Sequence, residues 1–389
     1  MPALGAAYFM LGVGANAPIG LVAPMAADLR VSEGAIAFLL SALALTYTIV
    51  APLLQMAIGD WDRRRLVIIG LGALALGSLI SALAPPSYAI QLIARVVMAL
   101  GCALIGPMVT ATAASIVPPE RAGQALGVVL LGINFSSVLG VPLVSFIGVV
   151  AGWRFAMAGI AALCVIIIGV LLATVPARSH GLRTTPAALL SVLKDGALTP
   201  ALFVTYFQMA SQFATFSLIG VFLTRTFAVA QGDVPLALLL IGATGVAGSA
   251  LSAFLLGRTP FNTLLTIGLG AAAVVYVWLQ FPPAGHYGVL LLCGWSAVNS
   301  LCQAPQSTRL VSMAGEGRNM VLTLNAALLQ CGIATGAALA GLVNDHIGVS
   351  HVPTASLLLL LGAIVLYALS RRRLARRTMF AVAGRREPN

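Results

Sequence analysis

With 60% of 389 residues hydrophobic and only 8% charged, the chain reads as an integral membrane protein rather than a soluble domain. A net charge of +11 would suggest nucleic acid in a soluble protein, but here topology accounts for the basic residues and no nucleic-acid partner is expected. No acyl-transfer triad, phosphate loop or metal-ligand cluster occurs, so neither an enzyme nor a cofactor is expected.

Taken in order, apolar runs predict helices over 4–27, 34–58, 66–84, 88–116, 123–151 and 155–176. A polar stretch, Ala177 to Gly196, follows. Helices then recur over 198–223, 234–256, 261–281, 286–309, 319–343 and 352–370. About 20 helical residues cross a hydrocarbon core of ~30 Å, so each run is long enough to span it. The first run is read as a permanent helix, not a cleaved signal. The expected fold is all-α, with twelve transmembrane helices in two pseudo-symmetric six-helix bundles. The expected division is 1–177, a cytoplasmic linker 178–197, 198–370, and a basic tail 371–389.

The halves echo each other. Tyr8-Phe9 recurs as Tyr206-Phe207, Gly34 as Gly232, Gly59 as Gly257 and Pro107 as Pro305, all at an offset of 198 residues. Four matches at one offset argue duplication by parallel repeats. Orientation follows from Lys and Arg. Seventeen, from Arg63 to the tail Arg371-Arg372-Arg373, Arg376, Arg377, Arg385 and Arg386, fall on one side; only Arg30, Arg154 and Arg225 fall on the other. The crowded side is cytoplasmic, with both termini and the linker. The tail is most simply a topology stop, with anionic lipid at the inner leaflet as a second role.

Several stretches are unusual for plain spans. The uncharged run from Ala122 to Trp153 carries Gly132, Ser136, Gly140, Val144, Gly148 and Gly152 at every fourth position. They share one helix face, a packing face for a neighbouring backbone. Pro142 removes a backbone donor, which predicts a kink over Val138 to Pro142. Arg95 lies about two turns inside the fourth helix, where a charge marks a pathway or a partner, or else snorkels to the headgroups. Gly59-Asp60-Trp61-Asp62-Arg63-Arg64-Arg65 sets acids beside three arginines at a helix junction, a latch or an ordinary positive-inside loop. The cysteines Cys102, Cys164, Cys293, Cys302 and Cys331, odd in number and inside apolar runs, read as packing residues.

Amides inside spans must face protein or water. Asn16, Asn134, Gln208, Gln212, Asn299, Gln303, Asn325 and Gln330 are therefore candidate cavity residues, with Tyr47, Phe207, Phe213 and Trp295 as aromatic walls. All ten acids fall in loops, in the tail or at helix ends. No span carries a midplane carboxylate. Asp28 and Glu33 are the acids nearest Arg95, so proton coupling either rests on them with Arg95 responding or is absent.

Four regions carry a family resemblance. Leu139-Gly140-Val141-Pro142-Leu143 with Gly152-Trp153-Arg154-Phe155 resembles the fifth-helix antiporter motif and following outer loop of drug- and sugar-efflux permeases in the major facilitator superfamily. Asp60, Arg64 and Arg65 match the superfamily's signature loop, while Met56, Trp61 and Arg63 depart from it. Arg95 to Gly101 resembles the fourth-helix arginine motif, and Pro118-Pro119-Glu120-Arg121 the inner turn after it. Gln306 to Leu310, Asn325 to Ala327 and Gly332 to Ala337 are similar to the tenth and eleventh helices of arabinose-efflux-permease-like transporters. The resemblance implies a monomeric exporter of a small molecule by alternating access. Arg95 would serve proton coupling, and Asp60, Arg64, Arg65, Gly140 and Pro142 the conformational switch. An uncoupled facilitator, an importer, or a receptor with the same fold are the alternatives.

Overall fold

The computed structural model describes residues 1–118, 121–175, 196–281, 286–314 and 318–383, and among these it is helical with no strand. In chain order the spans are α1 (Pro2–Gly20), α2 (Glu33–Ile58), α3 (Arg63–Leu83), α4 (Tyr88–Ser115) and α5 (Ala122–Phe135 continuing through Val141–Val150). Next come α6 (Trp153–Thr174), α7 (Leu198–Ser217 and Ile219–Thr226), α8 (Val234–Leu256) and α9 (Phe261–Trp278). The chain closes with α10 (His286–Leu301 and Gln303–Met313), α11 (Arg318–His346) and α12 (Val352–Ala383). Most of the expected spans appear within a few residues. The differences lie at breaks. The first run is split into α1 and a short helix Val22–Leu29, and α10 is interrupted at Cys302. Helix α12 runs on to Ala383, well past the expected end at 370. The expected linker lies outside the described residues as far as residue 195.

The breaks have local causes. Pro18 cannot donate to the carbonyl four residues back, and α1 tightens into a 3₁₀ turn over Ala17–Gly20. Pro142 acts likewise on α5, where Ser136–Gly140 widens into a π-helical turn, in the region expected to kink. Pro305 follows the break in α10, and the orphaned Leu301 carbonyl accepts from Ser252 Oγ of α8 at 2.8 Å. Helix α7 bends by 45° at its own break. Gly152 and Gly348 hold φ of +94° and +104°, the left-handed region open to glycine, where the chain turns into α6 and towards α12. Ser32 and Asp62 cap α2 and α3 by accepting from Ala35 N–H and Arg65 N–H, each at 3.0 Å.

Small residues set the packing. Gly132, Gly140 and Gly148 of α5 lie against Gly5, Val13 and Leu21 of the first run, so the predicted face turns towards α1. Gly152 is not on that face; it forms the turn before α6. The second half repeats the arrangement, with Gly332 and Gly336 of α11 against the Tyr206 and Ala210 backbone of α7. The two bundles meet along α2 with α11 and α5 with α8. Backbones approach closely in both: a Cβ on Gly341 would sit 2.7 Å from the Gly34 carbonyl oxygen, and one on Gly242 2.6 Å from that of Ser137. Side chains such as Leu83, Phe155, Phe254 and Val365 cover the outside, as lipid contact requires.

Candidate functional site

Among the described residues, two hollows between the bundles stand out. The central one, about 300 Å³, is lined by both halves. Asn16 and Asn134 face it from the first half, each beside a helix irregularity: Asn16 precedes the 3₁₀ turn of α1, and Asn134 the π turn of α5. Gln212, Phe213, Trp295, Gln303 and Gln330 face it from the second, with Gln303 directly after the break in α10. The Gln212 amide oxygen has no hydrogen-bond partner. Phe216 stacks on Trp295 with centroids 6.2 Å apart and meets Phe213 edge-on at 5.5 Å, so one wall is aromatic.

Other candidate cavity residues lie elsewhere. Tyr47 lines the second hollow, about 280 Å³, with Tyr8, Gln55, Thr110 and Thr323. Phe207 packs against Gly362 of α12 and edge-on to Tyr206 at 5.0 Å. Gln208 is buried and its amide nitrogen lacks a partner, yet it lines neither hollow. Asn299 donates to the Trp295 carbonyl at 2.9 Å, tying its own helix. Asn325 lines neither hollow, and its amide oxygen has no partner. Phe216, Ser137, Ser249, Ser296 and Ser300 line the cavity and were not anticipated. The stripe Ser296, Ser300, Gln303 has the four-then-three spacing of one helix face, and it was the signal available.

Arg95 is buried and donates to the Gly14 carbonyl at 2.8 Å, while its second terminal nitrogen has no partner. Gly14 is the residue four before Pro18, whose ring leaves that carbonyl without its helical donor. A side chain from α4 thus completes a bond that α1 lacks. Among the contacts of the described residues, neither Asp28 nor Glu33 pairs with Arg95. Asp28 instead accepts from Trp153 Nε1 at 3.2 Å and pairs with Arg154, whose guanidinium lies 4.5 Å from the Trp153 ring centroid. The expected coupling of Arg95 to these acids is therefore not a direct contact.

Glu33 takes part in a different contact, between the bundles. At the opening turn of α2 it pairs with Arg225 of the second half at 3.0 Å. Asp345, at the end of α11, accepts from Ser32 Oγ at 2.5 Å and from Gly34 N–H at 3.2 Å. A carboxylate at a helix N-terminus satisfies orphan donors and complements the dipole. With the Gly34–Gly341 approach, these bonds seal one end of the bundle.

At the opposite end the arginine loop clips helices of its own half. Arg63 donates to the Ala111 carbonyl of α4 at 3.2 Å, and Arg64 to the Leu172 carbonyl of α6 at 2.6 Å. Leu172 lies in the last turn of α6, where carbonyls lack helical donors, and Ala111 lies one turn before the end of α4. Arg65 contributes its backbone N–H to the Asp62 cap, and Asp60 sits in the turn before it. Gly140 has no room for a side chain against Val13, and Pro142 follows directly on the π turn. Beyond the last loop, Arg371 lies 5.8 Å from the Tyr367 ring centroid and Arg373 donates to the Gly196 carbonyl at 2.6 Å.

The sequence profile of the Major Facilitator Superfamily matches residues 4–319. The chain belongs to the major facilitator superfamily. This superfamily consists of transporters, not enzymes. The facilitator chain is 26% identical to the inner membrane transport protein YdhP of Escherichia coli K12, over 96% of both chains. It is also 26% identical to the purine ribonucleoside efflux pump NepI of Escherichia coli O6:H1, over 90% of this chain and 89% of that one. Among solved structures, a D-xylose–proton symporter superposes with a TM-score of 0.76 at 16% identity, covering 94% of this chain and 95% of the other; the likeness is one of fold.

Proposed function

We propose that this transporter exports a small organic molecule across a bacterial inner membrane by alternating access, with export linked to proton entry. The observation that carries the reading is the cavity between the bundles, sealed at one end by Glu33–Arg225 and Asp345–Ser32 and adjoined towards the other by the Tyr8–Tyr47 hollow. A carrier closed on one side and accessible from the other has this form. The arginine asymmetry supports reading the sealed end as external and the state as one facing the cytoplasm. Relatives named as an inner membrane transport protein and an efflux pump support membrane and direction.

Coupling follows from the latch. Glu33 and Asp345 are carboxylates that hold the bundles together only while they accept hydrogen bonds or pair with a cation. Protonation of Glu33 from outside weakens its pair with Arg225 and favours opening on that side. Because no carboxylate among the described residues lines either hollow, an uncoupled facilitator is the second reading.

Inverted vesicles separate the two. Adenosine is the first probe, since the relative NepI carries a purine ribonucleoside in its name. The expected result is accumulation driven by an acid lumen, lost in Glu33→Gln and Asp345→Asn. Gradient-independent equilibration in the wild type would leave the facilitator. For orientation, a cysteine at Arg373 should label from the cytoplasm and one at Pro86 from outside; the reverse pattern would invert the assignment.

A further inference from the structure

Resting on the central cavity as the transport site, we infer that the transported solute is uncharged, carries hydrogen-bonding groups and a flat apolar part, and that ions of similar shape are rejected. Among the described residues, no Asp, Glu, Lys, Arg or His lines either hollow. The buried cation Arg95 donates to the Gly14 carbonyl through one terminal nitrogen and lies outside both linings. The described acids sit at helix ends and loops, with Glu33 and Asp345 in the seal.

The chemistry of the lining is specific in what it offers. An amide presents a donor and an acceptor together, so Asn16, Asn134 and Gln212 read hydrogen-bonding pattern without preferring either sign of charge. The partnerless Gln212 oxygen calls for a donor on the solute. Phe216 and Trp295 supply apolar area against which a ring can lie. Amides from both halves reach the same space, so one solute touches both bundles and its occupancy can influence their closure. An ion entering this site would lose water and meet only dipoles, with no opposite charge to compensate. Cationic drugs, organic anions, sugar phosphates and zwitterionic amino acids are excluded on this ground, whereas nucleosides and neutral aromatic glycosides fit.

The test uses three molecules of nearly one shape on the purified full chain: adenosine, adenosine 5′-monophosphate and the cation 1-methyladenosinium, with tetraphenylphosphonium as an unrelated cation and neutral aromatic glycosides alongside. Binding is read from thermal stability and tryptophan fluorescence. Neutral members are expected to bind, and charged ones at least ~100-fold more weakly. Asn134→Asp, assayed at about pH 8 to keep the new acid ionised, should admit 1-methyladenosinium. Gln212→Glu repeats the test on the other bundle should the first variant fold poorly. Wild-type binding of any charged member within about tenfold of the neutral ones, or no neutral binder in the panel, overturns the inference. Charge-selective binding without vesicle accumulation would instead defeat export and leave the charge rule standing, and accumulation of a cation would do the reverse.

Discussion

Gly341→Leu is expected to cut transport sharply while leaving the protein in the membrane. A Cβ at that position would already sit 2.7 Å from the Gly34 carbonyl oxygen, and backbone cannot swing aside as a flexible side chain can. The contact joins α2 to α11 across the two bundles, so bulk there opposes the sealed state rather than the fold of either half. Overpacking typically costs about 1–3 kcal/mol. Applied to one of two states, that lowers its population ~5–150-fold. Initial vesicle uptake should fall by a similar factor, and a cysteine at Leu43, in the cavity lining, should become reactive to an impermeant reagent from outside. Wild-type uptake in this variant would mean that the Gly34–Gly341 approach is not part of the cycle.

The second large effect concerns Arg95. If its guanidinium serves the carbonyl that Pro18 leaves bare, Arg95→Met strands a buried acceptor and should cost about 1–3 kcal/mol of stability. Pro18→Ala restores a backbone N–H four residues after Gly14. The double variant should therefore recover much of the loss, a non-additivity measurable by thermal unfolding in detergent. Equal losses from Arg95→Met with and without Pro18 would contradict the pairing. The same double variant separates two roles: if Arg95 also responds to protons, the rescued protein stays folded but loses gradient-driven accumulation.

Much of this molecule was legible in the sequence because lipid imposes a simple rule. A chain that must satisfy its backbone internally writes its spans as apolar runs, and those runs gave all twelve. Pro142 marked its break, since proline acts on its own helix. The break at Cys302 and the tightening after Asn16 went unread although Pro305 and Pro18 stand beside them, because a proline inside a span does not announce whether the helix bends or stops. The run of α12 to Ala383 was missed for a different reason: polarity ends a span in lipid but does not end a helix.

For the site, residue type was informative and helical phase was not. Asn16, Asn134, Gln212, Trp295, Gln303 and Gln330 reach the central cavity, but Asn299 spends its amide on its own helix and Phe207 turns towards α12. The acids could be placed at helix ends from the sequence. Their partners could not, because Asp28–Arg154 and Glu33–Arg225 join residues far apart in the chain, and no local pattern encodes such a pairing.

The most direct test of alternating access needs no substrate assay. Spin labels at Val31, just before α2, and Ile347, just after α11, would report the distance between the bundles at the sealed end, and labels at Gln55 and Leu322 the distance across the hollow at the other end. In membranes, each pair should show two populations with opposite responses. Acidification should lengthen the first distance and shorten the second, and Glu33→Gln should mimic the acid shift at neutral pH. A single unchanging distance at the sealed end, under acid and with bound adenosine alike, would contradict a carrier that opens there.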